Sequence, residues 1–150
     1  MNYSEGRVGR VIVAKFDDGE DFVGGMKSLV EQSNVESAVF FFLGAFREGD
    51  VVAGPKAPVI PPTPDFIHFD GAWEVVGIGT MFTRDGVPFL HMHGAIGSGG
   101  NTLVGCLRKL TTTFLIVEVV MLEICGSTAV RTYNAESGHT LLDPDPQSGK

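Results

Sequence analysis

The stretch Ser37-Ala-Val-Phe-Phe-Phe-Leu43 decides the fold, because a continuous apolar run of this kind predicts a strand buried on both faces. Before it, Arg7 to Phe16 alternates and is rich in β-branched residues, which predicts a first strand. Between them, Glu20 to Ser33 carries apolar residues at helical spacing: Phe22, Met26, Leu29 and Val30. Asp17-Asp18-Gly19 offers a turn and an N-cap for this helix. A strand–helix–strand opening usually implies a right-handed crossover.

Two turn signals divide the centre of the chain into further strands. Asp85-Gly86 predicts a hairpin between strands at Trp73–Phe82 and Val87–Ile96. Gly97 to Asn101 predicts a second turn, and the pattern of 103–110 after it fits a short strand and a helix equally well.

A further apolar strand is predicted from Phe114 to Ile124. Within it, Glu118 shares a face with Ile116, Val120 and Leu122, so we expect Glu118 to be half-buried and to need a partner. Glu123 falls on the opposite face of the strand.

The segment from Phe46 to Asp65 differs in composition from its surroundings. Its glycines and prolines exclude a long helix and are unfavourable in a central strand: Gly49, Gly54, Pro55, Pro58, Pro61, Pro62 and Pro64. We therefore expect Gly44-Ala45 to end the buried strand, with a short edge strand at Val51-Val52 and a long loop beyond it. The proline-rich part, 54–64, is either a rigid surface connection or a loop that faces a partner.

Together these segments predict one domain of the α/β class, α+β in type. Its centre is a mixed, largely antiparallel β-sheet, flanked by the helix that follows the first strand. A chain of 150 residues suits one such domain. We expect an N-terminal extension at 1–6, the domain at 7–142 and a flexible tail at 143–150.

The composition restricts the class of protein. With 43% apolar and 19% charged residues the chain is globular. It contains no apolar run of membrane-spanning length, and its N-terminus lacks the features of a signal peptide, so we expect a cytoplasmic protein without a membrane partner. The formal net charge of −7, with the Lys and Arg residues scattered, disfavours direct DNA binding, which depends on neutralising phosphates.

Three residues form a candidate metal site. His91 and His93 stand at i and i+2 in an extended segment, so their side chains face the same side of a strand. Cys106, which follows a glycine-rich turn, could supply a third ligand across the hairpin. Imidazole and thiolate suit zinc or another divalent transition metal, and three protein ligands with a fourth position open are typical of catalytic zinc. Alternatively, the histidines are polar residues of a half-exposed strand and Cys106 is a small buried hydrophobe.

The order of short motifs resembles the plants and prokaryotes conserved (PPC) domain family. Along the chain stand a strand closing in Leu43-Gly-Ala, then Glu74-Val-Val-Gly, His91-x-His93, Gly105-x-Leu107 and the strand containing Glu118. The resemblance covers roughly 7–142. It implies a compact α/β domain that usually assembles as a homotrimer. It also implies a DNA-associated or regulatory role, because in plants the domain follows AT-hook DNA-binding motifs; no AT-hook core of Arg-Gly-Arg-Pro occurs in this chain.

Family members typically carry His-x-His followed by Gly-Gly-His-Leu. His91 and His93 match the first motif, and Val104-Gly105-Cys106-Leu107 aligns with the second, so Cys106 stands where a third histidine is usual. The resemblance therefore implies a metal site at His91, His93 and Cys106. A thiolate in the third position would make the bound metal a weaker Lewis acid than three neutral imidazoles would.

A second stretch, Gly71-Ala-Trp-Glu-Val-Val76, aligns with Gly-Arg-Phe-Glu-Ile-Leu of plant members, a segment implicated in contacts with partner proteins. Gly71 and Glu74 match and Trp73 is a conservative change, whereas Ala72 replaces the arginine. Gly71, Trp73 and Glu74 are therefore candidates for binding a protein partner. Glu74 could instead be a surface residue, or orient a ligand histidine from behind it.

Two functions follow from the sequence. The first is a homotrimeric, metal-binding regulatory module that works through protein partners. The second is a zinc-dependent enzyme acting on a small carbonyl compound, for which Glu74, Glu118 and His68 are the candidate general bases.

Overall fold

The computed structural model describes residues 1–146 of the chain. Its elements are β1 (Arg7–Asp17), α1 (Phe22–Ser33), β2 (Ser37–Pro55), β3 (Pro64–Arg84), β4 (Val87–Ser98), β5 (Asn101–Leu107), β6 (Thr112–Cys125), β7 (Val130–Asn134) and β8 (His139–Asp143). The predicted flexible tail begins at the last residue of β8, and 147–150 lie outside the described residues.

The strands form one large sheet in the order β1-β6-β2-β3-β4-β5, with every ladder antiparallel. β5 also pairs with the far end of β2, through Val51–Leu107 and Val52–Cys106, so β2 to β5 close on themselves. Strands β7 and β8 form a separate hairpin. The predicted antiparallel character is confirmed. Among residues 1–146 no ladder is parallel, so the mixed component of the predicted sheet is not found in this part of the chain.

The core lies between α1 and one face of the sheet. Phe22, Met26 and Val30 of the helix are fully buried, as the helical spacing predicted. Asp21 is the N-cap, where its carboxylate accepts from the Val23 amide, so the expected cap at Asp17-Asp18-Gly19 lies too early in the chain. Among residues 1–146 no helix is long and apolar enough to cross a membrane.

The prediction of a long loop within Phe46–Asp65 is wrong. β2 continues through a register shift at Gly44/Ala45 instead of ending there, and β3 already begins at Pro64. Pro55 and Pro64 face each other at the ends of these strands, where a missing amide donor costs little. Val51 and Val52 are paired on both sides and are not an edge strand. The connecting loop shrinks to 56–63.

The expected orientation of β6 is also wrong. Val117, Val119 and Met121 are buried in the core, whereas Glu118 is exposed. Both faces of this strand are apolar, so its own residues could not decide which face α1 would cover. Glu123 on the core side reaches the edge of β1, where its carboxylate accepts from the Arg10 guanidinium at 2.7 Å, and this pairing lowers the pKa of Glu123 to about 2.

Two glycines of β3 let the core close over the sheet. A Cβ at Gly79 would overlap the ring of Phe40, and one at Gly77 would overlap the ring of Phe42. Both rings are fully buried, and Phe42 also packs against Phe22 of the helix, with ring centroids 4.9 Å apart. The backbone of β3 is therefore one wall of the core.

We expect Gly79→Ala to destabilise the protein by about 1–3 kcal/mol, because the added methyl overpacks the site of the Phe40 ring. Urea unfolding followed by circular dichroism measures this. Gly97→Ala is the matched control on β4, since its Cβ would lie an ordinary 3.6 Å from the nearest atom. Equal unfolding midpoints for the two variants would contradict this account of the core.

Candidate metal centre

The structure brings His91, His93 and Cys106 together on the outer face of the sheet. In β4 the side chains of Met92 and Ile96 enter the core, so His91 and His93 point away from it. Cys106 on β5 stands directly opposite His93 in the β4–β5 ladder. Directly paired residues of antiparallel strands have Cβ atoms roughly 5 Å apart on the same face, so the hairpin itself positions the cysteine beside the histidines.

The donor atoms are close enough to share one ion. The Nε2 atoms of His91 and His93 are 3.1 Å apart, and one donor atom from each of the three residues lies within 4.8 Å of the others. A tetrahedral zinc with bonds of about 2.0–2.3 Å needs ligand atoms separated by about 3.3–3.8 Å. These residues therefore fit a zinc-like ion with small side-chain adjustments, and three protein ligands leave one position for another molecule.

Two further features prepare this cluster for a cation. Cys106 is buried, and Arg108 Nε donates a hydrogen bond to its Sγ at 3.3 Å, so a guanidinium lies directly beside the sulfur. Burial lowers the pKa of His91 below its ordinary value, and the charges of His93, Arg131 and Arg108 lower it further. The neutral imidazole, which is the form that binds metal, is therefore favoured at His91 near pH 7.

A cavity of about 820 Å³ opens over the cluster. Its walls come from β4, the start of α1, the end of β5 and the β7–β8 hairpin. Besides the three candidate ligands, its polar lining includes Lys27, Arg108, Arg131, His139 and Thr140. This volume lies within the range of roughly 300–1,000 Å³ that is typical of small-molecule sites.

A smaller cavity of about 200 Å³ shares four residues with the first: His93, Cys106, Arg108 and His139. Its remaining walls include Pro55, Pro62 and Pro64. The proline-rich segment therefore borders the cluster, so it is not a surface connection remote from the candidate site.

The second predicted group, Gly71, Trp73 and Glu74, lies elsewhere on β3. Gly71 has a left-handed φ of 94°, and a Cβ there would meet no atom within 4 Å. Trp73 is half-buried beside Phe69 and donates from Nε1 to the Asp70 carbonyl at 2.7 Å, so its indole belongs largely to the fold. Glu74 is exposed and is about 13 Å along the strand from Ile78, the residue paired with His93. Glu74 does not line the metal-site cavity.

The predicted general bases are not brought to the cluster. Glu118 pairs with Lys15 and Leu43 on β1 and β2, three strands away from β4. His68 lies 3.2 Å from Asp50, outside the residues that line the cavity.

Sequence reasoning missed the residues that the β7–β8 hairpin contributes, chiefly Arg131 and His139. Nδ1 of His139 lies 2.7 Å from the Ser137 carbonyl, an acceptor, so Nδ1 is the donor of this hydrogen bond. Arg131 donates to Thr80 Oγ1 at 3.0 Å, and Thr80 is the direct ladder partner of His91. No local motif surrounds either residue in the sequence, because a tertiary contact brings them to the site.

The fold and the His-x-His cluster place the chain in a known class of domain. Its residues 3–125 match the family model of the Plants and Prokaryotes Conserved (PCC) domain, so the chain belongs to this family, named PPC above. The predicted resemblance is thus confirmed. A comparison with curated proteins finds no match.

Solved structures share the fold. A metal-containing protein from Archaeoglobus fulgidus superposes with a TM-score of 0.82 at 22% identity, covering 94% of this chain and 98% of its own. A plant- and prokaryote-conserved protein from Pyrococcus horikoshii gives 0.80 at 20% identity, with coverage of 93% and 96%. A candidate DNA-binding protein from Bacteroides thetaiotaomicron gives 0.77 at 18% identity, with coverage of 96% and 99%. At these identities the likeness establishes the fold alone.

Metal analysis tests the cluster directly. We expect untagged protein purified without chelator to carry about one zinc per chain by inductively coupled plasma mass spectrometry, because three soft and borderline donors converge. His91→Ala/His93→Ala should lose it. His68→Ala, which removes an exposed histidine outside the cavity, is the matched control and should keep it. Equal metal content in all three proteins would contradict the site.

Proposed function

We propose that this chain is a cytoplasmic, metal-binding, homotrimeric PCC-domain protein with a regulatory, DNA-associated role exerted through protein partners. The observation that carries the proposal is the convergence of the donor atoms of His91, His93 and Cys106, all within 4.8 Å of one another. Zinc, or another divalent transition metal, is the ion that these donors suit. The similar Archaeoglobus fulgidus protein is metal-containing, which supports a metal in this chain as well.

The charges of the surface support an indirect association with DNA. The net charge is −7, and five of the eleven Lys and Arg residues are paired with a carboxylate: Arg10 with Glu123, Lys15 with Asp17, Arg47 with Asp18, Arg84 with Asp85 and Lys109 with Asp50. Tight duplex binding needs a stripe of free cations that displace counterions from phosphates. Pairing leaves these five cations less available to phosphates, so the DNA-associated role suggested by the Bacteroides thetaiotaomicron protein would run through a partner.

An exposed apolar row supports the homotrimer. Val13, Val120, Phe41 and Ile78 are consecutive ladder partners across β1, β6, β2 and β3, and they are 75%, 42%, 47% and 49% exposed. We call these four residues the outer row. Contiguous apolar patches of this kind mark association sites, because single exposed residues are normal but aligned ones are not. A second and a third copy of the chain are the occupants that we propose for it.

The enzymatic alternative also has a specific observation in its favour. The cavity over the cluster is large enough for a small substrate, and His139 in its wall is an imidazole of the kind that serves as a general base. When bound, zinc would supply Lewis acidity toward a small carbonyl compound. His139 takes the place of Glu74, Glu118 and His68 as the candidate base.

Association through the outer row can be tested by one charge. We expect the wild-type chain to have three times the chain mass by size exclusion with light scattering, and Phe41→Glu to yield smaller species, because association would bury an unpaired carboxylate. Val87→Glu makes the same change at an exposed apolar residue outside the row and should remain trimeric. A monomeric wild type would contradict the proposed assembly.

The route to DNA has its own test. With a fluorescent A·T-rich duplex, we expect the purified protein to show at most weak binding at low salt that disappears by about 150 mM salt, because few phosphates would be neutralised. A matched G·C-rich duplex should behave identically. Sequence-selective binding by the purified chain at that salt concentration would show that it contacts DNA directly.

A further inference from the structure

Arg131 is a buried arginine without a carboxylate partner. Only 7% of its surface is exposed, and its Nε has no hydrogen-bond partner among residues 1–146. Its one side-chain hydrogen bond in that part of the chain goes to the neutral Thr80 hydroxyl. The guanidinium lies near the rings of Phe82 and Phe89, 6.0 and 5.8 Å from their centroids, and burial lowers its pKa.

This arrangement is unusual for an acidic chain. The protein has 18 Asp and Glu residues against 11 Lys and Arg, and the exposed arginines at positions 10, 47 and 84 each contact a carboxylate. Buried charges are normally paired, because an unpaired one loses its hydration without compensation. The counter-ion of Arg131 is therefore missing from the described part of the chain.

The surroundings of Arg131 show where such a counter-ion would lie. Arg131 lines the cavity over the metal cluster, together with Lys27 and Arg108. Of the described residues that line this cavity none is Asp or Glu, so its fixed charge is entirely positive. Arg131 donates a hydrogen bond to the Thr80 hydroxyl, and Thr80 is the ladder partner of His91. Arg131 therefore lies beside the candidate metal ligands.

Besides Gly138, the rest of the wall consists of apolar residues: Val23, Pro88, Phe89, Leu90, Met92, Leu107 and Leu141. A ligand of this cavity must therefore combine one anionic group with a short apolar body. A guanidinium presents parallel N–H donors in a plane, which matches the two oxygens of a carboxylate. The apolar walls disfavour a strongly hydrated ion such as inorganic phosphate.

We propose that the cavity binds a small organic carboxylate, with its carboxylate on Arg131 and its apolar body against the walls formed by Phe89 and Leu141. The carboxylate supplies the counter-charge that Arg131 lacks. This inference adds a ligand class to the cavity of the proposed metal site but needs only Arg131 for recognition. Arg131 lies on β7, beyond the residues 3–125 that match the family model.

Calorimetric titration tests the proposal with 3-methylbutanoate as the probe and its neutral isostere 3-methylbutanamide as the matched control. Both are titrated into chelator-treated protein and into zinc-loaded protein. We expect the carboxylate to bind both forms and the amide to bind about 10- to 100-fold more weakly, because a charged hydrogen-bonded pair is lost. Equal binding of both probes, or no binding of either, would overturn the proposal. Tighter binding of inorganic phosphate would overturn the assignment to a carboxylate.

Variants locate the contact. Arg131→Gln should lose the binding of 3-methylbutanoate by a similar factor, whereas Arg7→Gln, which makes the same charge change on the exposed start of β1, should keep it. Circular dichroism establishes that each variant is folded. A folded Arg131→Gln that binds normally would overturn the proposal.

A measurement on the wild-type chain covers the case in which Arg131→Gln does not fold. In ¹⁵N-labelled protein, the arginine Nε–H resonance that is absent from Arg131→Lys is assigned to Arg131, and it should shift on titration with 3-methylbutanoate. An unchanged resonance at saturation would overturn the proposal. Titration of the chelator-treated protein separates the proposed metal site from the proposed carboxylate site. A chain that binds no zinc can still bind the carboxylate, and a chain that binds zinc can fail to bind the carboxylate.

Discussion

The close approach of Phe40 and Phe42 to the bare backbone of β3 is the constraint on which the rest of the structure depends. Gly77 and Gly79 leave room for these rings, and side chains alternate along a strand. Ile78 and Thr80 must then face outward, and the β3–β4 ladder passes that orientation to His93 and His91. A shift of one residue in this register would turn both histidines into the core, so the packing of two phenylalanines determines where a metal can bind.

The outer face of the sheet carries several features at once. It holds the aligned apolar side chains of the outer row, the three metal-donor residues and, through the β7–β8 hairpin, a buried arginine without a counter-ion. The inner face is given over to packing against α1. The metal-donor residues and the outer row thus share the outer face, while the inner face supplies most of the core.

The sequence pattern predicted the features of the fold and of the site that depend on periodicity and turns. The period of two placed His91 and His93 on one face, the turn at Gly99-Gly100 returned Cys106 to them, and the helix followed from its spacing. The expectation that glycines and prolines would interrupt the strands within 46–65 failed, because Pro55 and Pro64 lie at strand ends, where no ladder hydrogen bond is lost. Glu118 was oriented wrongly because β6 is apolar on both faces. Arg131 and His139 reach the site through hairpin docking, which leaves no periodic signal in the sequence.

The outer row has a geometric continuation. Ile78, its last member, is the ladder partner of His93, and His93 is the partner of Cys106, so the line of side chains that runs across β1, β6, β2 and β3 ends at the metal-donor residues. Subunits that associate along this line would have the cluster at the rim of their contact. Ion binding and assembly would then be thermodynamically linked. If the bound ion stabilises the assembly, assembly increases the affinity for the ion by the same coupling free energy.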